Sequence, residues 1–300
     1  MANGIWFLNR TKPGYQGYTI MVPNGAPALA MSYFCDLDGF QVTDNPQNIV
    51  PLLANEKVDV AVMPTNVGVQ AIVNNHVNYD ILCTVTFGNF YVASTGNDAN
   101  GIMESSDYIV SFQPQGVANK IFQYVYDGSL EAGVHYVSSA QEASKCLKMG
   151  KNLADDGKSV DYVLIAEPAY SIVASTTPNV SIYANIQEIY KEKSGGYPLF
   201  QASVFVRKSL DKQEVQDSIL GNIRASVNNM LSVDNYLFNQ MNKISNPKDV
   251  FGIEPEIAQK LVMDNNKMGL GCEIPDSEEN IEGLKKFLKI FGINNYEKTN

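Results

Sequence analysis

Histidine is scarce in this 300-residue sequence, with only His76 and His135. His76 sits in "NNHVN", a polar helix end, and His135 in a strand-like run beside Val134, so both read as structural or solvated rather than catalytic. No G-x-S-x-G elbow occurs, which leaves a serine hydrolase of that kind unsupported. "GKS" at 157–159 lacks the leading glycine of a phosphate loop, since Asn152 stands in its place, and it precedes a strand instead of following one. "GLGCEI" (269–274) lacks the third glycine of a dinucleotide fingerprint. No carboxylate pair shows metal-ligand spacing, and neither a metal nor a cofactor is expected. The chain reads as non-catalytic.

Other shortages narrow the class further. No apolar run reaches the ~18 residues that span a bilayer. The opening, "MANGIWFLNRTKPG", has neither the basic nor the apolar region of a secretory signal. A formal net charge of −10 argues against nucleic acid as a partner, because phosphate binding relies on clustered Lys and Arg. Cys35, Cys83, Cys146 and Cys272 are dispersed, with no C-x-x-C and no zinc spacing. They read as small buried apolar residues, and their spacing defines no disulfide pairing.

What is present is a chain that is 45% hydrophobic and 18% charged, enough to bury a sizeable core. Strand-like and helix-like runs alternate. "YTIMV" (18–22), "FQVT" (40–43) and "VDVAVM" (58–63) read as strands, with helices over 24–34 and 46–56 between them. The order recurs about a hundred residues on, with strands at 107–112, 134–138 and 160–165 and helices over 113–127 and 140–154. "KVDVAVMPTN" (57–66) and "SVDYVLIAEP" (159–168) match best, each a Val-Asp, an apolar run and a proline-containing turn. Such alternation implies parallel strands covered by helices. After a strand over 203–207 only helical patterns are expected: 211–233, 234–244, 254–265 and 277–292, the last capped by Asp276 with Glu279 at capping-box spacing. The expected fold is α/β, in two lobes: 18–93 with 203–300, and 107–196, joined by crossings at 94–106 and 197–202.

Two such lobes leave a cleft, and in open α/β sheets ligands bind beyond the carboxyl ends of the strands. Candidates there are Asn24 and Gly25 in "VPNGAPA", Thr65 and Asn66 after Pro64, and Gln115 and Gly116 in "QPQG". Each has a plain alternative, a turn or a helix cap. Phe87, Gly88 and Asn89 offer a stacking wall, or simply core aromatics. Glu167 is an acceptor for a ligand N–H or cation, or a carboxylate placed favourably at a helix N-terminus. Tyr197 and Gln201, in "GGYPLFQ", join a hinge to a pocket floor, unless that stretch is an ordinary loop.

In this order the elements resemble the substrate-binding proteins of ABC transporters, type II periplasmic-binding-protein fold, in the branch that includes nitrate, sulfonate and thiamine-precursor binders. "VDVAVMPTNVGV", "VDYVLIAEPAYSIV", "ASVFVRKSL" and "GCEIPDSEENIEGLKKFLKIFG" carry the likeness, across residues 18–292. The resemblance implies a two-lobed, monomeric protein outside the cytoplasmic membrane. It would close on a small solute and deliver it to a permease; the candidate residues, with helix N-termini, aromatics and amides, lead us to expect a planar, aromatic or amide-containing one. By position, Asn24, Thr65, Asn66, Phe87, Gly116 and Glu167 match places where the family holds ligand. A secretion signal with a lipid-carrying cysteine is expected of a lipoprotein of this kind, and this sequence starts without one. Two alternatives use the same scaffold. One is an enzyme branch resembling makers of thiamine pyrimidine, marked by a cysteine cluster that the four dispersed cysteines do not form. The other is a ligand-sensing domain.

Overall fold

The computed structural model describes residue 15 and residues 17–74, 76–97, 101–210 and 213–297. The leader reading of 1–14, residues 98–100 of the expected first crossing, residues 211–212 of the expected long helix and residues 298–300 of the first lobe lie outside the described residues.

The first alternation is β1 (Ile20–Pro23), α1 (Ala26–Ala30), β2 (Phe40–Thr43), α2 (Ile49–Ala54), β3 (Val60–Pro64) and α3 (Thr65–Val73). Then come β4 (Tyr79–Thr86) and β5 (Phe90–Ser94). The second alternation is β6 (Ile109–Phe112), α4 (Val117–Val125), β7 (Val134–Val137) and α5 (Ala140–Met149). A small hairpin, β8 (Lys151–Asn152) and β9 (Lys158–Ser159), precedes β10 (Tyr162–Ala166) and α6 (Ala169–Ala174). β11 (Ser181–Asn185), α7 (Ile186–Ser194) and β12 (Ala202–Arg207) follow. The chain continues through α8 (Gln213–Ser232), α9 (Tyr236–Met241), α10 (Pro247–Phe251) and α11 (Pro255–Met263), ending with β13 (Leu270–Glu273) and α12 (Glu278–Lys289).

The strands form a six-stranded sheet, β13-β4-β12-β3-β1-β2, and a five-stranded sheet, β11-β5-β10-β6-β7. In each, three strands run parallel (β2-β1-β3 and β7-β6-β10), and a strand arriving from the other half of the chain adds antiparallel to the third. That visitor is β12 in the larger sheet and β5 in the smaller.

The echo around the two Val-Asp pairs extends to single hydrogen bonds. Asp59 Oδ2 accepts from Thr19 N–H at 2.8 Å, just before β1, and Asp161 Oδ2 accepts from Tyr108 N–H at 2.8 Å, just before β6. The two carbonyls also match, since Asp59 O accepts from Arg207 N–H at the end of β12 and Asp161 O from Thr95 N–H at the end of β5. Each aspartate therefore pins the start of one neighbouring strand and the end of another.

Alternation along the strands divides the interior into three apolar clusters. Ile20, Val22, Val60, Val62, Val204 and Val206 pack with α1, α8 and α11 on one face of the larger sheet. Met21, Ala61, Met63 and Phe205 on its other face join Phe90, Val92, Tyr162 and Leu164 of the smaller sheet in one continuous cluster, with α3, α4, α7 and α12. The last face, with Val110, Val163 and Ile165, packs on α5 and α6.

Several expectations need correcting. The chain passes between sheets at Phe87–Asn89, upstream of 94–106, because β5 already belongs to the smaller sheet. The helix expected over 140–154 stops at Met149, where Gly150 takes a left-handed φ of 62° and ends it. Helices are not the only elements after residue 210, since "LGCE" forms β13 on the edge of the larger sheet. The cap of α12 is Ser277, whose hydroxyl accepts from Asn280 N–H, rather than Asp276.

Candidate functional site

The strand ends of both sheets meet along a seam, and a relay of hydrogen bonds crosses it. Thr65 N–H donates to Gln201 O, Gln201 Nε2 lies 3.4 Å from Asn89 Oδ1, and Asn89 Nδ2 donates to Glu167 O at 2.9 Å. Gln201 N–H also donates to Thr86 O and Glu167 N–H to Asn89 O, so both inter-sheet passages are tied to β3, β4 and β10. Three polar atoms along this seam are buried without a partner: Asn66 Oδ1, Thr86 Oγ1 and Gln201 Oε1. A buried polar atom left unpaired costs about 1–3 kcal/mol, so each of the three would gain from a hydrogen-bond partner.

Beside the seam opens a groove of about 610 Å³. One wall is α3, presenting Asn66, Gln70 and Asn74 on successive turns, with Gln47 and Pro51 from the α2 region. The facing wall is the start of α4, with Gln115 and Lys120, and Ile290, Phe291 and Ile293 close one end. The lining thus carries five carboxamides, Lys120, His76 and an apolar end, and no carboxylate. Among the described residues, Lys120 makes no ion pair. Asn119, 3% exposed, fixes the turn before α4 by donating from Nδ2 to Pro114 O at 2.9 Å. α4 has no side-chain cap at its N-terminus, so its first N–H groups remain available beside Gln115.

Only Asn66 and Gln115 of the expected site residues line this groove. Gly116 is the N-cap of α4 beside it, its own N–H spent on Gln113 O. Thr65 is fully buried and does not cap α3. Its hydroxyl is hydrogen-bonded to the Ser203 hydroxyl at 2.8 Å, and Ser203 in turn to that of Thr84 at 2.8 Å. Asn24 lies apart, donating to Asp44 Oδ1, and Gly25 N–H is taken by Phe251 O. Phe87 packs edge-on to Phe200, with centroids 6.2 Å apart, while its N–H donates to Gly269 O. Gly88, at φ 102°, abuts Leu199 and Gln187, where a Cβ would come within 2.8 Å of Leu199 Cδ1. Tyr197 lies under the Lys286 ammonium, 4.4 Å from the ring centroid.

Of the two readings of Glu167, its contacts match the carboxylate at a helix N-terminus: it is 3% exposed, and its carboxylate accepts from Ser171 Oγ at 2.8 Å and from Ser171 N–H at 3.1 Å in the first turn of α6. Burial pushes its carboxyl above the ordinary range, opposed by the Ser171 bonds and the Lys267 ammonium. The same burial, with Glu167 nearby, pushes the Tyr91 phenol up to about 12. The groove residues that sequence reasoning passed over, Gln70, Asn74 and Lys120, do leave a trace. Asn66, Gln70 and Asn74 stand four apart, one polar stripe on an otherwise apolar helix.

No protein-family model matches this sequence, and no curated protein does either. Solved structures match over nearly the whole chain at low identity. An ABC transporter structure from Parabacteroides distasonis is 15% identical, covers 91% of each chain and superposes with a TM-score of 0.69. The periplasmic aliphatic sulphonate binding protein SsuA from Escherichia coli is 9% identical over 92% of this chain and 86% of its own, with a TM-score of 0.66. The alkanesulfonate-binding protein SsuA from Xanthomonas axonopodis pv. citri, bound to MOPS, is 13% identical over 94% and 93%, with a TM-score of 0.60. The fold is that of the periplasmic binding proteins. Among the described residues, no helix is long and apolar enough to cross a membrane.

Proposed function

We propose that this protein is the solute receptor of an ABC importer, working outside the cytoplasmic membrane and handing a small organic molecule to a permease. Its two lobes are the two sheets with their helices, hinged at Phe87–Asn89 and at the Tyr197–Gln201 return. One observation carries the reading: the groove draws carboxamides from both halves, Asn66 and Gln70 on α3 and Gln115 in the turn before α4. A solute touching both walls binds the closed arrangement more tightly than the open one, and that difference in affinity drives closure. Nothing in this function asks for bond making, and the protein acts as a non-catalytic monomer. The solute is amide-containing or otherwise planar, with N–H or O–H donors for Asn66 Oδ1. Anchoring as a lipoprotein would hold the receptor near its permease.

The fold shared with sulfonate-binding proteins supports this class of function and not a sulfonate as the ligand. Native mass spectrometry of freshly purified protein identifies a carried-over solute, and small-angle scattering with and without that solute tests closure. The expected result is a non-covalent small-molecule adduct whose addition to stripped protein lowers the radius of gyration. Chemical turnover of the bound molecule, or binding with no change in radius, would contradict the receptor reading.

A further inference from the structure

Two of the four cysteines meet in space although 189 positions separate them in sequence, by subtraction of 83 from 272. Cys83 lies on β4 and Cys272 on β13, antiparallel neighbours at one edge of the larger sheet. Leu270 stands opposite Thr86 and Glu273 opposite Thr84, so Gly271 and Cys272 share the place facing Val85. This one-residue slip turns Cys272 onto the face that carries Cys83 and Val85, and it packs against their apolar cluster. The two side chains thus share one face of neighbouring strands within a single apolar cluster, and Arg224 of α8 acts on both thiols. Cys83 is fully buried and Cys272 half-buried, so one partner is reachable from solvent and the other waits behind it.

The surroundings divide the two roles. The neighbouring Cys83 thiol and the Arg224 guanidinium hold the Cys272 thiol below its ordinary range, which favours the nucleophilic thiolate. The proximity of Cys272, together with burial, pushes the Cys83 thiol up. Cys35 donates to Gln240 O, and Cys146 lies in the cluster of the smaller sheet.

We propose that Cys83 and Cys272 form an oxidisable pair that closes to an intramolecular disulfide when a disulfide-class oxidant is present. The Cys272 thiolate attacks one sulfur of the oxidant, forming a mixed disulfide and expelling the first thiolate. Cys83 then loses its proton and attacks the Cys272 sulfur, expelling the second thiolate. Two protein thiols are oxidised by two electrons, the oxidant is reduced to two thiols, and the two protons released from Cys272 and Cys83 go to them. The new bond staples β13 to β4 beside the first inter-sheet passage, where Phe87 N–H already donates to Gly269 O and the Phe87 ring covers Gly271. Oxidising compartments favour such bonds, yet the pair stands on strand geometry and does not depend on the solute reading.

The test treats the full native chain with glutathione disulfide, then denatures, titrates thiols and maps peptides without reduction. The expected result is two of the four thiols lost, a single cross-linked peptide pair containing Cys83 and Cys272, and a melting temperature about 5 °C higher that reverts on reduction. Cys272→Ser, at a half-buried position that tolerates the change, should keep its three remaining thiols under the same oxidant. Four persisting thiols, cross-links through Cys35 or Cys146, or a glutathione adduct that never leaves Cys272 would each overturn the proposal.

Discussion

Glu167 shows how one residue's role is decided by which neighbour reaches it first. A carboxylate at a strand-to-helix turn suits either a ligand or its own helix, and Ser171, four positions on, claims both oxygens. Glu167→Ala is therefore expected to lower unfolding stability by about 1–2 kcal/mol, measured in urea, through the two lost Ser171 bonds. Its pH dependence follows from the direction of the shift. A carboxyl raised on folding binds its proton more tightly in the native state, so this contribution is complete below the unfolded pKa. It is lost as pH rises through the folded value. The melting temperature of Glu167→Gln should thus gain on wild type as pH rises from about 4 to 7, since the amide carries no charge to bury. A constant difference across that range would mean that burial is not what raises the group. Asn66 is the contrasting case, with a buried Oδ1 that no protein group satisfies. Asn66→Ala should weaken solute binding about tenfold while changing stability by less than about 1 kcal/mol.

At the scale of elements, α3 packs against β12 only because it carries a glycine. A Cβ on Gly68 would stand 2.2 Å from the Phe205 ring. Alanine gains about 1 kcal/mol in helix propensity, but overpacking a filled core costs about 1–3, so Gly68→Ala should lose stability in denaturant unfolding. The paired aspartates give a parallel expectation. Asp161→Ala frees the Tyr108 N–H and should cost about 2 kcal/mol, as Asp59→Ala should at Thr19. Much of this was legible in the sequence, because parallel β-α units write themselves in apolar runs, and the two Val-Asp runs mark equivalent strands. β13 was not, because two of its four residues, Gly271 and Cys272, lack the branched or aromatic character of a strand. Its pairing with β4 supplies what local propensity does not. The partners of Thr65 and Asn24 were not legible for a related reason. A turn's residue types announce hydrogen bonding, while the partner, Ser203 or Asp44, comes from far along the chain.

The whole molecule is two copies of one wiring plan that exchange a strand, each sheet taking its fourth strand from the chain's passage through the other. The exchange leaves the halves joined at Phe87–Asn89 and at the Gln201 return, where Thr86 Oγ1 and Gln201 Oε1 lie buried and unpaired. In the receptor reading this joint is the hinge, and the α3–α4 groove sits beside it. If a solute belongs there, wild type screened by thermal shift against a broad set of small organic molecules should respond. At about a hundredfold excess over Kd, a true ligand should raise the melting temperature by about 5 °C, and Asn66→Ala should lose most of that rise. A rise that survives unchanged in Asn66→Ala, or no rise with any molecule, would contradict a solute seated between α3 and α4.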